Sequence, residues 1–406
     1  MNLHENAVST PLWRDPRALT LALAAVLVIM ANVTISPALP GLEAMFASDP
    51  DARLWTGLLV PAPSIAVVLA APLAGLAVDR WGRRRLLISG LLLFVISGPA
   101  GLYLPDLATI FASRLVLGVA VAMIMSAQTA LIGDYFQGDR RSGMVGLQIS
   151  ARNFGGMICV ALAGVIAALS PRAPFALYGL ALFFLPLVWL TIRDAGPKAA
   201  DRAAPIKAAS VEPRQSWLGA VITIAGLQAV TAMLFFLNPT QTPFFFDHLG
   251  YDSAATTGLY LGALTFSGGC VALMFGRVKA RLGYGGAYAL GYALMAAGFL
   301  ALSMGEQPIW LPAASLMIGA GYAVVTPIFT ALALHLAPAH RRGFAGGLMM
   351  TAMALGQFAS PFASVPAIAA FGFVSVFEII AAAFAAIALA AGITAAIRGR
   401  SATNMA

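Results

Sequence analysis

The chain has 406 residues, 60% of them hydrophobic and only 10% charged, with a mean hydropathy of +0.87. An ordinary soluble domain is about 45–50% apolar and about 25% charged, so a water-facing globular enzyme is excluded, as is a disordered chain. Two cysteines cannot form a disulfide framework, and what remains is a polytopic membrane protein. The formal net charge of +8 does not call for nucleic acid as a partner, because basic residues in this class collect on cytoplasmic loops.

Apolar stretches of about 20 residues, long enough to cross a bilayer as helices, occur at 18–40, 55–78, 86–104, 107–133, 143–168 and 173–192. Six more follow at 217–242, 254–276, 285–304, 309–334, 343–368 and 372–397. The first is too long for a cleavable signal peptide, so none is expected. With the N-terminus in the cytoplasm, the loops on that side hold 20 of the 24 Lys and Arg, including Arg80, Arg83, Arg84, Arg85, Arg140 and Arg141. The opposite loops hold two, Arg53 and Arg172, and carry acids instead: Glu43, Asp49, Asp51, Asp106, Asp247, Asp252 and Glu306. This positive-inside asymmetry predicts both termini in the cytoplasm.

The sequence repeats on itself. Shifted by 201 residues, Gly75, Gly82, Gly90, Gly118, Gly146 and Gly155 fall on Gly276, Gly283, Gly291, Gly319, Gly347 and Gly356. Those are six of the twelve glycines between 75 and 156, where 40 glycines in 406 residues give about one match by chance. Arg80, Arg140 and Arg141 land on Arg281, Arg341 and Arg342. Six spans per half make both halves enter from the same side, a parallel repeat. The expected organisation is a six-helix half at 1–192, a polar cytoplasmic linker at 193–216 and a second half at 217–406.

Gly75-Leu-Ala-Val-Asp79-Arg80-Trp-Gly82-Arg83-Arg84 resembles the G-x-x-x-D-R-x-G-R-R signature between the second and third helices of the major facilitator superfamily. The later copy, Gly276 to Gly283, keeps both glycines and Arg281 but has Ala280 in place of the aspartate. Arg114-Leu-Val-Leu-Gly118 resembles the family's fourth-helix arginine motif, with Leu117 where Gln is common. The resemblance implies an all-α membrane protein of twelve transmembrane helices in two parallel-repeat halves. It also implies that Gly75, Asp79, Arg80, Gly82, Arg83 and Arg84 gate the change between conformations. Asp79 would face a helix N-terminus of the other half, a favourable place for an anion.

Helical spacing marks candidate path residues. Arg114, Gly118, Val121, Met125 and Gln128 share a face of the fourth helix, Gln148, Arg152, Gly155 and Cys159 of the fifth. Gln228, Thr231, Phe235, Asn238 and Thr242 share one on the seventh, and Ser315, Gly319, Tyr322, Thr326 and Thr330 on the tenth. Polar side chains facing lipid are costly, so each stripe faces protein or water. Asn32, Gln128, Arg152, Gln228, Asn238 and Tyr322 are the substrate-binding candidates. Asn238-Pro239 and Pro327 predict helix breaks. Arg152, near the midplane, reads equally as the holder of an anionic substrate and as a structural arginine. Arg114, Glu378 and Asp134 are the candidates for proton coupling: Arg114 through its family counterpart, Glu378 as the acid well inside a span, Asp134 as the next acid.

Pro37-Ala-Leu-Pro40 and Thr242-Pro-Phe-Phe-Phe-Asp-His-Leu-Gly250-Tyr resemble the bacterial drug-efflux branch of the family. The first helix lacks the acid that branch often carries, and the fifth lacks the proline of its antiporter motif. The four histidines, 4, 248, 335 and 340, sit at loops or helix ends, and no metal-binding or nucleophile–base spacing occurs. The expectation is therefore proton-coupled efflux of amphipathic compounds across a bacterial inner membrane, with uptake or export of a small organic anion as the alternative. Such a protein would act as a monomer on a small-molecule substrate within the lipid bilayer, without nucleic acid, metal or cofactor and with the proton gradient as its energy source.

Overall fold

The computed structural model describes residues 11–193, 217–338 and 341–403. Beyond Arg193 the expected linker lies outside the described residues, as do His4 and His340, and Asp79 is described by its backbone alone. In the first half the helices are α1 (Pro16–Val33), α2 (Leu39–Met45), α3 (Ala52–Leu59), α4 (Ala62–Trp81), α5 (Arg83–Ser97), α6 (Leu107–Tyr135) and α7 (Gly138–Ala167). A 3-10 run, Ala173–Phe183, leads into α8 (Phe184–Thr191). The second half holds α9 (Trp217–Phe235), α10 (Leu237–His248), α11 (Ser253–Ser303), α12 (Trp310–Leu336) and α13 (Arg342–Thr403). Helices satisfy every backbone polar group within one segment, which hydrocarbon requires. Acids of the connecting loops start three of them: Asp15, Asp106 and Asp252 accept from the backbone N–H of Arg17, Thr109 and Ala255 at 3.0, 2.8 and 3.1 Å.

Among the described residues nine segments are long and apolar enough to cross a membrane, or ten when α3 and α4, bent by 50°, count as one broken span. Two of these are far longer than a bilayer. At 1.5 Å per residue, the 51 residues of α11 and 62 of α13 would run about 77 and 93 Å, against a hydrocarbon core of about 30 Å. Each leaves helical geometry at one glycine, Gly283 (φ 64°) and Gly372 (φ 78°). Dividing them there is the reading that brings ten spans to the twelve expected. Gly82, at φ 87°, makes the equivalent joint between α4 and α5. Gly82 and Gly283 are one repeat apart, and both hold a backbone conformation that residues with a Cβ resist.

The 201-residue offset carries into the packing. A Cβ built on Gly90 would lie 3.0–3.2 Å from atoms of Ile124, Met123 and Ala120, and one on Gly291 would lie 2.5–3.3 Å from Val325, Gly321 and Val324. These are the same three neighbours, each 201 residues on. Gly118 sits against Pro63 and Ala66, and Gly319 against Leu264 and Ser267, again 201 apart. The first helix breaks between α1 and the 3-10 turn Ser36–Ala38, and the seventh at Phe236, 201 residues after Ile35. Asn238-Pro239 thus lies at a real break. Pro327 does not, because α12 runs through it unbroken. Proline leaves the carbonyl four residues earlier without its amide, here that of Ala323, and a membrane helix tolerates this where the freed group meets protein or a cavity.

Candidate functional site

The halves meet along α7 and α11 and along α3 and α4 against α13, and between them lies a cavity of about 570 Å³. That is within the size range of small-molecule sites. Its wall is largely apolar, with Val67, Met125, Phe235, Phe236, Leu264 and Met350 among the lining residues. Neutral polar groups come from Asn32, Ser64, Asn153, Thr265, Tyr322, Thr326, Thr351 and Gln357. Arg152 is the one charged residue lining it among those described.

The seam between the halves is tight at one end and loose at the other. At the end carrying the acidic loops, Gly57 of α3 packs on Pro361 of α13 and Gln241 of α10. Gly164 of α7 meets the backbone of Ala254 and Gly258 in α11, with a Cβ placed 2.7 and 2.8 Å away. Such small residues let helix backbones approach closely. Arg53 of α3 pairs with Glu43 at 3.1 Å, donates to Gln241 Oε1 at 3.5 Å, and lies 3.5 Å over the Phe244 ring. At the basic end, Gly75, Gly146, Gly276 and Gly347, two repeat-related pairs, have no neighbour within 4 Å of a built Cβ. A shallower apolar groove lined by Gly75 and Val78 shares Val67, Ala71, Met125 and Met350 with the cavity.

Arg53 therefore ties the halves at the tight end. The Glu43 pair lies within the first half and orients Arg53. The contacts across the seam are the Gln241 bond and the Phe244 ring, and a cation–π contact contributes about 0.5–1 kcal/mol at an exposed site. Arg53→Ala should shift the equilibrium toward opening of this end by roughly fivefold, about 1 kcal/mol. Maleimide labelling of Gly57→Cys, in a background lacking Cys159 and Cys270, measures it. An unchanged labelling rate would show that Arg53 does not bear on the closure.

Of the substrate-binding candidates, the structure brings Asn32, Arg152 and Tyr322 to the cavity. Asn32 Oδ1 accepts from Ser64 Oγ at 3.3 Å. Tyr322 stacks on Phe235, with centroids 3.6 Å apart and planes 7° from parallel. Gln128, Gln228 and Asn238 are buried elsewhere. Gln128 donates to the Leu21 carbonyl at 3.4 Å and accepts from Gln148 at 2.9 Å, joining α6 to α1 and α7. Asn238 donates to the Phe235 carbonyl at 2.8 Å and accepts from Tyr260 at 2.8 Å, which satisfies the broken seventh helix. Gln228 lies in α9 off the cavity wall, its Oε1 unpartnered among the described residues. The stripes keep a direction, but the cavity follows each helix for only about one to three turns. Beyond that depth the same face meets a neighbouring helix.

The coupling candidates also lie away from the cavity. Arg114 is fully buried and donates through Nη2 to the carbonyls of Ser97 and Gly98 at the end of α5. Its guanidinium lies 4.7 Å from the Tyr178 ring centroid and 5.1 Å from that of Phe175. Asp134 is held by Arg83 at 3.1 Å, and Arg84 donates to the Trp189 carbonyl at 2.8 Å. Arg83 and Arg84 thus brace the first half internally, while Arg80 is exposed. Glu378 is exposed on α13, six residues past the break at Gly372, where no side chain of the cavity reaches it. Among the described residues no three His, Cys, Asp or Glu converge as a metal site. Helical spacing on the first, fourth, fifth, seventh and tenth spans missed the contributions of α4, α11 and α13. Gln357, Ser360 and Ser364, buried at steps of three and four, were the signal for α13.

A family model described as Major Facilitator Superfamily matches residues 21–361 of the chain. Multidrug resistance protein 2 of Bacillus subtilis (strain 168) is 35% identical over 119 residues, 29% of this chain and 30% of that protein. The matched stretch thus spans less than a third of that relative. Quinolone resistance protein NorA of Staphylococcus aureus (strain Mu50) is 25% identical over 318 residues, 75% of this chain and 78% of its own. Tetracycline resistance protein, class C, of Escherichia coli is 27% identical over 296 residues, 67% and 73% of the two chains. In fold, the chain superposes on the D-xylose-proton symporter with a TM-score of 0.74 at 18% identity, over 93% of this chain and 96% of that one. The inward open xylose transporter XylE of E. coli gives a TM-score of 0.73 at 17% identity, over 92% and 95%. The all-helical membrane fold with its repeated packing, the complete Gly75–Arg84 signature and the span of the family match agree: this multi-pass membrane protein is a transporter, not an enzyme, and it belongs to the Major Facilitator Superfamily.

Proposed function

We propose that the protein exports amphipathic organic molecules across a bacterial inner membrane by alternating access, coupled to the inward movement of protons. The observation that carries this reading is the cavity itself: an apolar, Met- and Phe-rich wall with scattered amides and hydroxyls, sealed at the acidic end and loose at the basic end. Met and aromatic side chains adapt to varied shapes, and open space between two halves suits a molecule carried rather than transformed. With the basic end in the cytoplasm, this conformation loads from inside, as an exporter must. The resistance proteins among the relatives, named for quinolone, tetracycline and multidrug resistance, support the direction.

In this reading the halves 1–192 and 217–406 rock as units joined by the linker, and one copy of the chain suffices. Gly75 and Gly347, free of neighbours here, come together when the basic end closes. Asp79, at the end of α4, then faces the N-terminus of α13 at Arg342, where the positive end of the helix dipole favours a carboxylate. Proton coupling acts on this closing contact rather than in the cavity, since no carboxylate lines the cavity among the described residues.

Asp79→Asn should reduce transport at least tenfold with normal membrane insertion, whereas Ala280→Asp in the later copy should have a smaller effect. Inverted vesicles given an imposed pH gradient test the function directly. A lipophilic fluorescent compound should accumulate inside wild-type vesicles and not Asp79→Asn vesicles. Accumulation in right-side-out vesicles instead would overturn the export reading.

A further inference from the structure

We infer that the cavity selects amphipathic molecules that carry an anionic group, and that Arg152 holds that group. The inference rests on the export reading and names the substrate class of the same site.

Arg152 is set apart from the other arginines in the body of the protein. Arg53 has Glu43, Arg83 has Asp134, Arg114 has two carbonyls, and Arg84 has the Trp189 carbonyl. Arg152 makes no hydrogen bond, ion pair or ring contact among the described residues, yet it lines the cavity between the halves. None of the described acids lines the cavity with it, and several are committed elsewhere. Asp15 pairs with Arg140, Glu43 with Arg53 and Asp134 with Arg83. Asp106 and Asp252 start helices, and Glu378 is exposed on α13. A guanidinium brought to the depth of the bilayer without an anion is costly, and such a group marks a substrate path unless a structural partner explains it.

The backbone that bears Arg152 is fixed from both sides. Gly155 and Gly156 of α7 abut Val26 and Ile29 of α1, and Asn153 abuts Gly269 of α11. A rigid mount of this kind places a planar fork reproducibly, and that fork matches a carboxylate, sulfonate or phosphate bidentately. The stacked Phe235–Tyr322 pair and Met125 supply apolar wall for the body of the same molecule. A cationic amphiphile would instead be repelled by Arg152, the one charge lining the cavity among the described residues.

Three probes with one naphthyl-butyl body and a carboxylate, a carboxamide or a trimethylammonium terminus separate the possibilities. Binding to the full-length protein in nanodiscs should favour the carboxylate over the amide by tenfold or more, with the ammonium weakest. Arg152→Gln should abolish the carboxylate's advantage over the amide, and Arg152→Lys should retain part of it. Equal binding of carboxylate and amide by the wild-type protein, or an unchanged preference in Arg152→Gln, would overturn the inference. The wild-type ranking decides even where a variant fails to fold. Equal binding with accumulation of all three probes in inverted vesicles would remove the anion site and leave export standing. Carboxylate preference with accumulation in right-side-out vesicles would keep the site and remove export.

Discussion

Gly319→Val is expected to deplete folded protein almost completely, with Gly118→Val close behind. A Cβ on Gly319 would stand 2.1 Å from the Leu264 carbonyl oxygen and 2.4 Å from Ser267 Oγ; one on Gly118 would stand 2.4 Å from the Pro63 carbonyl oxygen. Backbone carbonyls cannot turn aside as a flexible side chain would. The only relief is to push α12 away from α11, or α6 away from α4, along a whole crossing. Inserting bulk into a packed core costs about 1–3 kcal/mol when neighbours can shift, and here both partners are backbone, so the cost lies at or above that range. Fluorescence-detected size exclusion and thermal unfolding measure the effect. Gly219→Val is the control: nothing lies within 4 Å of its built Cβ, so its stability should stay within about 0.5 kcal/mol of wild type. A Gly319→Val protein that elutes and melts like wild type would disprove the crossing.

The same glycines explain why so much of the fold was legible in the sequence. A close backbone crossing admits only glycine, so a duplicated fold repeats its glycines at a fixed offset even where the other side chains have diverged. Gly90 with Gly291 and Gly118 with Gly319 carry that signal, and their neighbours prove to be the same residues one repeat on. Hydropathy fixed the segment ends to within a few residues in most cases, because it responds to the same length the bilayer imposes. It could not show that α11 and α13 continue as helix through their turns, since only the dihedrals of Gly283 and Gly372 interrupt them. Nor did it mark the broken first span, where Pro37 and Pro40 fall at the 3-10 turn and the start of α2.

The site was half legible, for a reason visible in Gln128 and Asn238. Periodicity gives the direction a residue faces but not what stands there. Gln128 and Tyr322 obey the same spacing, yet one spends its amide on Leu21 and Gln148 while the other forms cavity wall. Val67, Ala71 and Met350 line the cavity without any polar signal to distinguish them from lipid-facing residues. Arg152 was legible because a charge within a span is rare. Its lack of a partner among the described residues was not, because that depends on where the acids of the chain end up.

Arg114 is the residue on which the family resemblance and the structure make different demands, and the second large effect is expected there. As a coupling group it should be reachable from the transported molecule or from a proton path through the cavity. Its position is instead that of a brace: fully buried, bonded to the last carbonyls of α5, and set against Phe175 and Tyr178 of the 3-10 run. The carbonyls at a helix C-terminus lack intrahelical partners and carry the negative end of the helix dipole, so a cation there answers both. Bonds from a charged donor contribute about 1.5–3 kcal/mol each, partly offset because leucine at the site carries no desolvated charge. Arg114→Leu should therefore destabilise the protein by about 2–4 kcal/mol, the net of those bonds and that relief. Arg114→Lys should fall between, since an ammonium lacks the flat guanidinium that meets both rings. Thermal unfolding in nanodiscs reads the stability, and transport per folded molecule in vesicles reads the mechanism. A brace predicts a lowered unfolding temperature with near-normal transport by the molecules that remain folded. Wild-type stability with abolished transport would return Arg114 to the coupling machinery, and would mean that its bonds to Ser97 and Gly98 exchange during the cycle rather than hold throughout it.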